Sequence, residues 1–388
     1  MLHHHFKPLL IKGKALLPVV QGGMGVGVSA HRLAGAVAKL GAMGTLASVD
    51  LRHHHPDLLE QSKSLHEQAS LDAINFVALD REIKLAREIA GGEGLLAVNV
   101  MKAVASNNGY VRQACESGAD AIVMGAGLPL DLPDVTANFP HIALIPILSD
   151  SRGIAVIVKK WLKKNRLPDA IVIEHPAHAG GHLGATRLDD INNEKFEFDR
   201  VLAETHQLFR DLQIESSRIP LIVAGGIHQH EQVAHYLNSG ASAVQLGTAF
   251  AVTEEGDAHP NFKEVLANAK REEIVEFMSV AGLPARAVLT PWLKNYLNRE
   301  ERLQSYAKAD PARCTQGMNC LSVCGLRDGL AKVGQFCIDL KLAAAMRGEI
   351  SRGLFFRGAD ALPFGAAIRP VRELIDYLLT GTRPLAFA

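Results

Sequence analysis

The chain has 388 residues, more than one average domain, with 41 Lys plus Arg balancing 41 Asp plus Glu. A net charge of zero gives no field to attract nucleic acid or an anionic membrane, no apolar run reaches the length of a bilayer span, and the opening Met-Leu-His-His-His-Phe-Lys lacks the apolar core of a signal peptide. The expectation is a cytoplasmic protein with a core large enough to need no disulfides and with neither nucleic acid nor membrane as a partner.

Leu16 to Gln21 is a short apolar run that breaks into a glycine-rich stretch from Gly22, and His31 to Leu40 then repeats at helical period. Gly41 to Ser48 reads as a second strand. From Asp50 to about Ser70 the chain is polar, a long connection placed to cover a barrel mouth, and its His53–His55 triplet, like His3–His5, is expected in an exposed loop. A helix near Leu79–Ile89 leads to a third strand at Leu95–Met101. Further strands follow from Gly118, Ile142, Ala170, Pro220 and Ala241, with a basic helix around Ala155–Lys164. Most strands start about 20 to 30 residues apart, the length of one strand–helix unit.

Eight such units predict the α/β class and a closed (β/α)₈ TIM barrel, with a C-terminal helical cap lobe. A doubly wound open sheet would show one dominant phosphate-binding turn, whereas here glycines follow at least five strands. The division expected is a barrel over 1–252, a largely helical cap over 253–350, and a segment over 351–388 whose amphipathic helix, stopped by Gly381, packs back on the barrel.

The chemistry concentrates at strand ends. Ala170–Glu174 ends in a carboxylate and opens into a loop holding Gly180, Gly181 and His182, where the backbone can approach a ligand closely. Gly225 and Gly226 follow strand seven, and Gly247 and Thr248 follow strand eight, the place where barrels commonly bind phosphate through backbone N–H groups.

In their order along the chain, Gln-Gly-Gly-Met-Gly at 21–25, Asn99, Ala-Gly-Gly-His-Leu-Gly at 179–184, Ala-Gly-Gly-Ile at 224–227 and Gln-Leu-Gly-Thr-Ala-Phe at 245–250 resemble the nitronate monooxygenase family, formerly 2-nitropropane dioxygenase, which includes flavin-dependent enoyl-acyl-carrier-protein reductases. The resemblance spans about residues 15–255 and implies an FMN-binding barrel. It places Gly22, Gly23 and Met24 along the isoalloxazine, Asn99 at its polar edge, Gly180 and Gly181 in the flavin loop, and Gly225, Gly226, Gly247 and Thr248 at the phosphate. His182 becomes the catalytic residue, with an imidazole expected to titrate near neutrality. Glu174, His175 and His178 are read as supporting or surface residues.

The implied activity is oxidation of a small alkyl nitronate with O₂. The alternatives are an NAD(P)H-dependent flavin reductase acting on an enoyl thioester or related acceptor, and a flavin-binding partner subunit without catalysis. A homodimer is compatible with each. Cys314, Cys320, Cys324 and Cys337, spaced C-x₅-C-x₃-C-x₁₂-C, depart from the usual family pattern. Their first three members are reminiscent of the cluster loop of glutamate synthases. An iron–sulfur cluster, buried free thiols and zinc all remain open for them, and Cys115 is expected to pack a helix.

Overall fold

The computed structural model describes residues 4–65, 67–314 and 320–384. Eight parallel strands close into the expected barrel: β1 (Val19–Gln21), β2 (Met43–Ala47), β3 (Leu95–Met101), β4 (Ala121–Gly125), β5 (Ala143–Leu148), β6 (Ile171–Glu174), β7 (Leu221–Ala224) and β8 (Ala243–Leu246). Each pairs with its successor, and β8 closes on β1 through Gln245↔Val20 and its neighbours.

The two-residue period of a strand decides what faces inward. In β3, Leu95 and Ala97 fill the barrel while Leu96, Val98 and Val100 pack outward. In β4, Ala121 and Val123 face in and Ile122 and Met124 face out; in β6, Val172 faces in between Ile171 and Ile173. The interior is thus a packed core. One further step of the same alternation brings Asn99, Glu174 and Gln245 to the inner surface at the C-terminal ends of their strands. A hairpin not anticipated from the sequence, Leu9–Ile11 with Lys14–Leu16, adds Leu9, Ile11 and Leu16 to the interior cluster.

Between β1 and β2 the ladder holds only Val20↔Met43, and the Gln21 amide extends it by donating to Thr45 O at 3.0 Å and accepting from Thr45 N at 2.8 Å. Outside, helix α1 (His31–Lys39) buries Leu33, Ala34, Val37 and Ala38 against β2 and the long helix α2 (Gln68–Ala90). The approach is so close that a Cβ at Gly44 would lie 2.0 Å from the Ala34 carbonyl oxygen.

The second histidine triplet does not lie in an exposed loop. His53 hydrogen-bonds Asp50 at 3.2 Å, His54 Nε2 lies 2.8 Å from Gly27 O, and His55 lies 3.0 Å from the buried Glu82, which also accepts from His31 N and Nδ1 at 2.8 Å. A buried carboxylate needs donors, and this polar segment supplies them. Polarity in the sequence therefore marked a buried network rather than solvent exposure.

The stretch expected to be largely helical from Thr253 to Glu276 holds helix α3 (Pro260–Asn268) and then becomes strand β9 (Ile274–Met278), paired antiparallel with β10 (Pro284–Val288). The third strand of this sheet is Gly181–His182, taken from the loop after β6: His182 pairs with Ala285 and Gly181 with Arg286. The cap is therefore built on a sheet that includes part of the barrel's own loop. Helix α4 (Val371–Thr380) buries Val371, Leu374, Ile375, Leu378 and Leu379 in the cluster that covers the outside of the barrel, and Gly381 ends it at φ +74°. Among the described residues no helix is long and apolar enough to cross a membrane.

Candidate active site

A cavity of about 300 Å³ opens at the C-terminal ends of the barrel strands. Every barrel residue to which the resemblance gives a flavin or catalytic role lines it: Gly22, Gly23 and Met24 after β1, Asn99 from β3, Gly180, Gly181 and His182 after β6, Gly225 and Gly226 after β7, and Gly247 and Thr248 after β8. Chain topology explains the convergence, since parallel strands in a ring deliver all their following loops to one mouth.

The glycines are required by space and by backbone conformation. A Cβ at Gly23 would lie 2.4 Å from Asn99 Cβ and 3.2 Å from Thr45 Cγ2. Gly225 and Gly226 adopt φ +112° and +76°, where L side chains are strained. Substituting Gly23 by alanine is expected to push Asn99 from its place and weaken retention of the FMN that the resemblance implies by at least about tenfold, the equivalent of about 1.4 kcal/mol. Cofactor content after gel filtration checks this.

A segment that sequence reasoning missed lies across the mouth. In residues 354–362, Gly358 N–H donates to Thr248 Oγ1 at 3.0 Å and Ala359 N–H to His178 O at 3.1 Å, and a Cβ at Gly180 would lie 2.5 Å from the Arg357 carbonyl carbon. Arg357 fastens this strap through Leu266 O, Gly358 O and Asp360 O at 2.8 to 3.0 Å. Its signal was the Gly358-Ala359 pair between two phenylalanines and a proline, far from the barrel motifs in sequence. Arg286, also unanticipated, is buried in the cap; it donates to Pro176 O at 3.0 Å and to Ala179 O and pairs with Glu276, which ties the loop before His182 to the cap sheet.

His182 presents its ring to the cavity beside Phe356, with centroids 5.6 Å apart, and its Nε2 lies 2.9 Å from Ser279 Oγ. Burial pushes its pKa down to about 4, away from the neutral value expected from residue type. Glu174 is no surface residue: it lines the cavity, and burial raises it to about 7. His178 also lines the cavity and holds Asp360 at 2.8 Å. Burial opposes the charge of Asp360, but the His178 hydrogen bond outweighs it and leaves the pKa lowered. His175 is packed behind the wall, and burial followed by the nearby His178 lowers it to about 4.

The rest of the wall is apolar, with Met101 and Val104 from the barrel and Leu321, Ile338, Leu342 and Leu354 from the cap. Cys320 lines this side. Its thiol is pushed up by burial and then by the charges of Asp339, Cys337, Cys324 and Cys314. Among the described residues no three cysteine sulfurs lie within 4.8 Å of one another, and that grouping is met only by Asp50, His53 and Asp339. Zinc–sulfur bonds of about 2.3 Å would hold thiolates no more than about 4.6 Å apart, so the arrangement does not match a zinc site. Residues 315–319, between Cys314 and Cys320, lie outside the described residues. Cys115 is buried on the helix over Asn107–Glu116, as expected.

The family model for nitronate monooxygenase matches residues 8–381. A probable nitronate monooxygenase of Bacillus subtilis is 27% identical over 286 residues, covering 71% of this chain and 78% of that protein. The nitronate monooxygenase of Pseudomonas aeruginosa is 33% identical over 122 residues, 31% of each chain. Two solved structures share the fold: FabK from Thermotoga maritima, at 21% identity and TM-score 0.57 over 93% of this chain and 91% of that one, and nitroalkane oxidase from Streptomyces ansochromogenes, at 20% identity and TM-score 0.60 over 93% and 94%.

Proposed function

The chain belongs to the nitronate monooxygenase family and is an oxidoreductase, and on that premise we propose that it binds FMN and oxidises small alkyl nitronates with O₂. The observation that carries this reading is that His182 shares one cavity with Asn99 and with glycines from the loops after β1, β6, β7 and β8 and from the strap. A planar cofactor fits a wall stripped of side chains at Gly22 and Gly23. Among the described residues Gly225, Gly226 and Ile227 donate no backbone hydrogen bond, so their N–H groups are open to a phosphate, with Thr248 and the strap residue Gly358 beside them.

FMN, when bound there, supplies the electron transfer and the reaction with O₂. The chain's own residues bind, orient and keep water out. His182, neutral at pH 7, meets a nitronate oxygen without adding a charge. Glu174, raised to about 7, can hold or release a proton at the cavity wall. Met101, Val104 and Leu321 keep the substrate side dry, which strengthens every polar contact made inside it.

Oxygen uptake by the FMN-loaded protein on addition of an alkyl nitronate tests the reading. Saturable uptake, with no oxidation of NADPH, is the expected result. NADPH oxidation without nitronate-dependent uptake would replace it with the second reading, an NAD(P)H-dependent reductase of an enoyl thioester or related acceptor. That reading draws on the place of Cys320 at the cavity wall and on the charge influence that Cys337, Cys324 and Cys314 exert on it. These thiols would hold an iron–sulfur cluster, which spreads its thiolates wider than zinc does and would supply one-electron transfer. Iron and sulfide in the purified protein, lost in Cys320→Ser while flavin stays, is the result that would favour it.

A further inference from the structure

We propose that Ser279 is a positioning residue that fixes the tautomer of His182, so that the imidazole presents an N–H at Nδ1 to the cavity while its Nε2 lone pair is engaged behind it. The inference rests on the reading of His182 as the group that meets substrate.

Ser279 is completely buried at the end of β9. Its Oγ accepts the Ala281 N–H at 3.2 Å and lies 2.9 Å from His182 Nε2. A serine hydroxyl carries one proton and must give it to an acceptor. Among the described residues the hydrogen-bond partners of Oγ are the Ala281 N–H, itself a donor, and His182 Nε2. The proton therefore points to Nε2. The opposite assignment, with Nε2–H donating to Oγ, would leave a buried O–H without a partner, which is the costly arrangement. With Nε2 accepting, a neutral imidazole must carry its proton on Nδ1. The ring is half-buried and lines the cavity, so Nδ1 is the nitrogen that remains for a ligand.

Both partners are held in place from outside the pair. His182 is fixed in the cap sheet by its pairing with Ala285, and Leu183 N–H donates to Pro284 O at 2.8 Å. Ser279 is held by Leu283 O, which accepts its N–H at 2.9 Å, and by Gly334, whose N–H donates to Ser279 O at 3.1 Å; next to it, Gly325 N–H donates to Val280 O at 2.7 Å. Gly325 and Gly334 belong to the segment that carries Cys324 and Cys337. The cysteine-bearing lobe thus sets the hydroxyl that sets the histidine. The chemical consequence is that His182 works as a neutral hydrogen-bond donor toward a substrate oxygen that gains negative charge, because its one ring lone pair is taken by Ser279.

Nitrogen-15 NMR of histidine-labelled protein tests this without reference to turnover. His182 is assigned by the signals lost in His182→Gln, and the expected spectrum shows protonated Nδ1 and unprotonated Nε2 at pH 7. Ser279→Ala is expected to move both signals toward the Nε2–H form and lower kcat about 10- to 100-fold with little change in KM, the size of a lost positioned proton donor; Ser279→Thr, which keeps the hydroxyl, should restore both. A protonated Nε2 in the unaltered protein, or ring signals that Ser279→Ala leaves in place, would overturn the proposal. Should Ser279→Ala fail to fold, the spectrum of the unaltered protein still decides it. Correct tautomer signals in a protein that oxidises no nitronate would leave the assignment standing and sink only the functional reading.

Discussion

His182→Ala is expected to lose about 10²- to 10⁴-fold in turnover while keeping the proposed FMN, the range typical for removing a positioned proton-handling group. The separation of the two effects follows from the geometry. His182 Nε2 is engaged by Ser279 and its ring leans on Phe356, so the side chain is held by the cap, whereas the proposed phosphate cradle is built from loops after β7 and β8 and from the strap. Stopped-flow reduction by an alkyl nitronate, with flavin absorbance as the measure of cofactor content, checks both parts. Loss of flavin together with activity would instead assign His182 to cofactor binding. The pH dependence should differ from that of an ordinary histidine enzyme. Since burial lowers His182 to about 4, its protonation cannot produce a loss of activity near neutrality. An inflection near pH 7 is expected from Glu174, and Glu174→Gln should abolish it.

The largest expected effect on stability comes from Glu82→Ala. Glu82 is fully buried and receives His31 N and Nδ1 at 2.8 Å, with His55 Nε2 at 3.0 Å. Removing the carboxylate strands these donors and, where His31 is protonated, leaves a poorly compensated charge, so a loss of about 3 to 5 kcal/mol is expected. Denaturant unfolding monitored by far-UV circular dichroism measures it, and a loss under about 1 kcal/mol would count against the network. Burial disfavours ionised Glu82, yet hydrogen bonds from His31 and His55 prevail and bring it down to about 2. A depressed carboxylate contributes stability above its unfolded value of 4.5, so that contribution should fade as the pH falls from about 4.5 toward about 2. His31 has the opposite sign. Its pKa is raised, chiefly by the Glu82 hydrogen bond, so its contribution is complete below 6.5 and is lost as the pH rises through the raised value.

What could be read from the sequence was what local pattern determines. Leu95-Leu-Ala-Val-Asn-Val-Met was legible as a strand from its largely apolar run, and the two-residue period that turns Ala97 into the barrel also delivers Asn99 to the mouth. The glycine loops were legible because only glycine leaves room there, as the Gly23–Asn99 approach demonstrates. Pairings between distant segments were not legible. Gly181–His182 has no strand propensity of its own and joins a sheet because β10, about a hundred residues on, pairs with it. Ser279, Arg286 and the strap at 354–362 act on the site across separations of this size or larger, and only the strap carried a local sign, its Gly358-Ala359 pair. Composition misled at His53–His55, where a polar triplet serves a buried carboxylate; Glu174, a strand-ending carboxylate without a motif of its own, ranked behind His182 although strand alternation turns it into the same cavity.

The most direct test of the central claim is an anaerobic absorption titration of the FMN-reconstituted protein with an alkyl nitronate, followed by a parallel titration with NADPH. Binding of one flavin per chain, bleached by the nitronate and untouched by NADPH, is the result the cavity and its neutral His182 predict. A protein that takes up no FMN, or whose flavin NADPH reduces while the nitronate does not, would contradict the account.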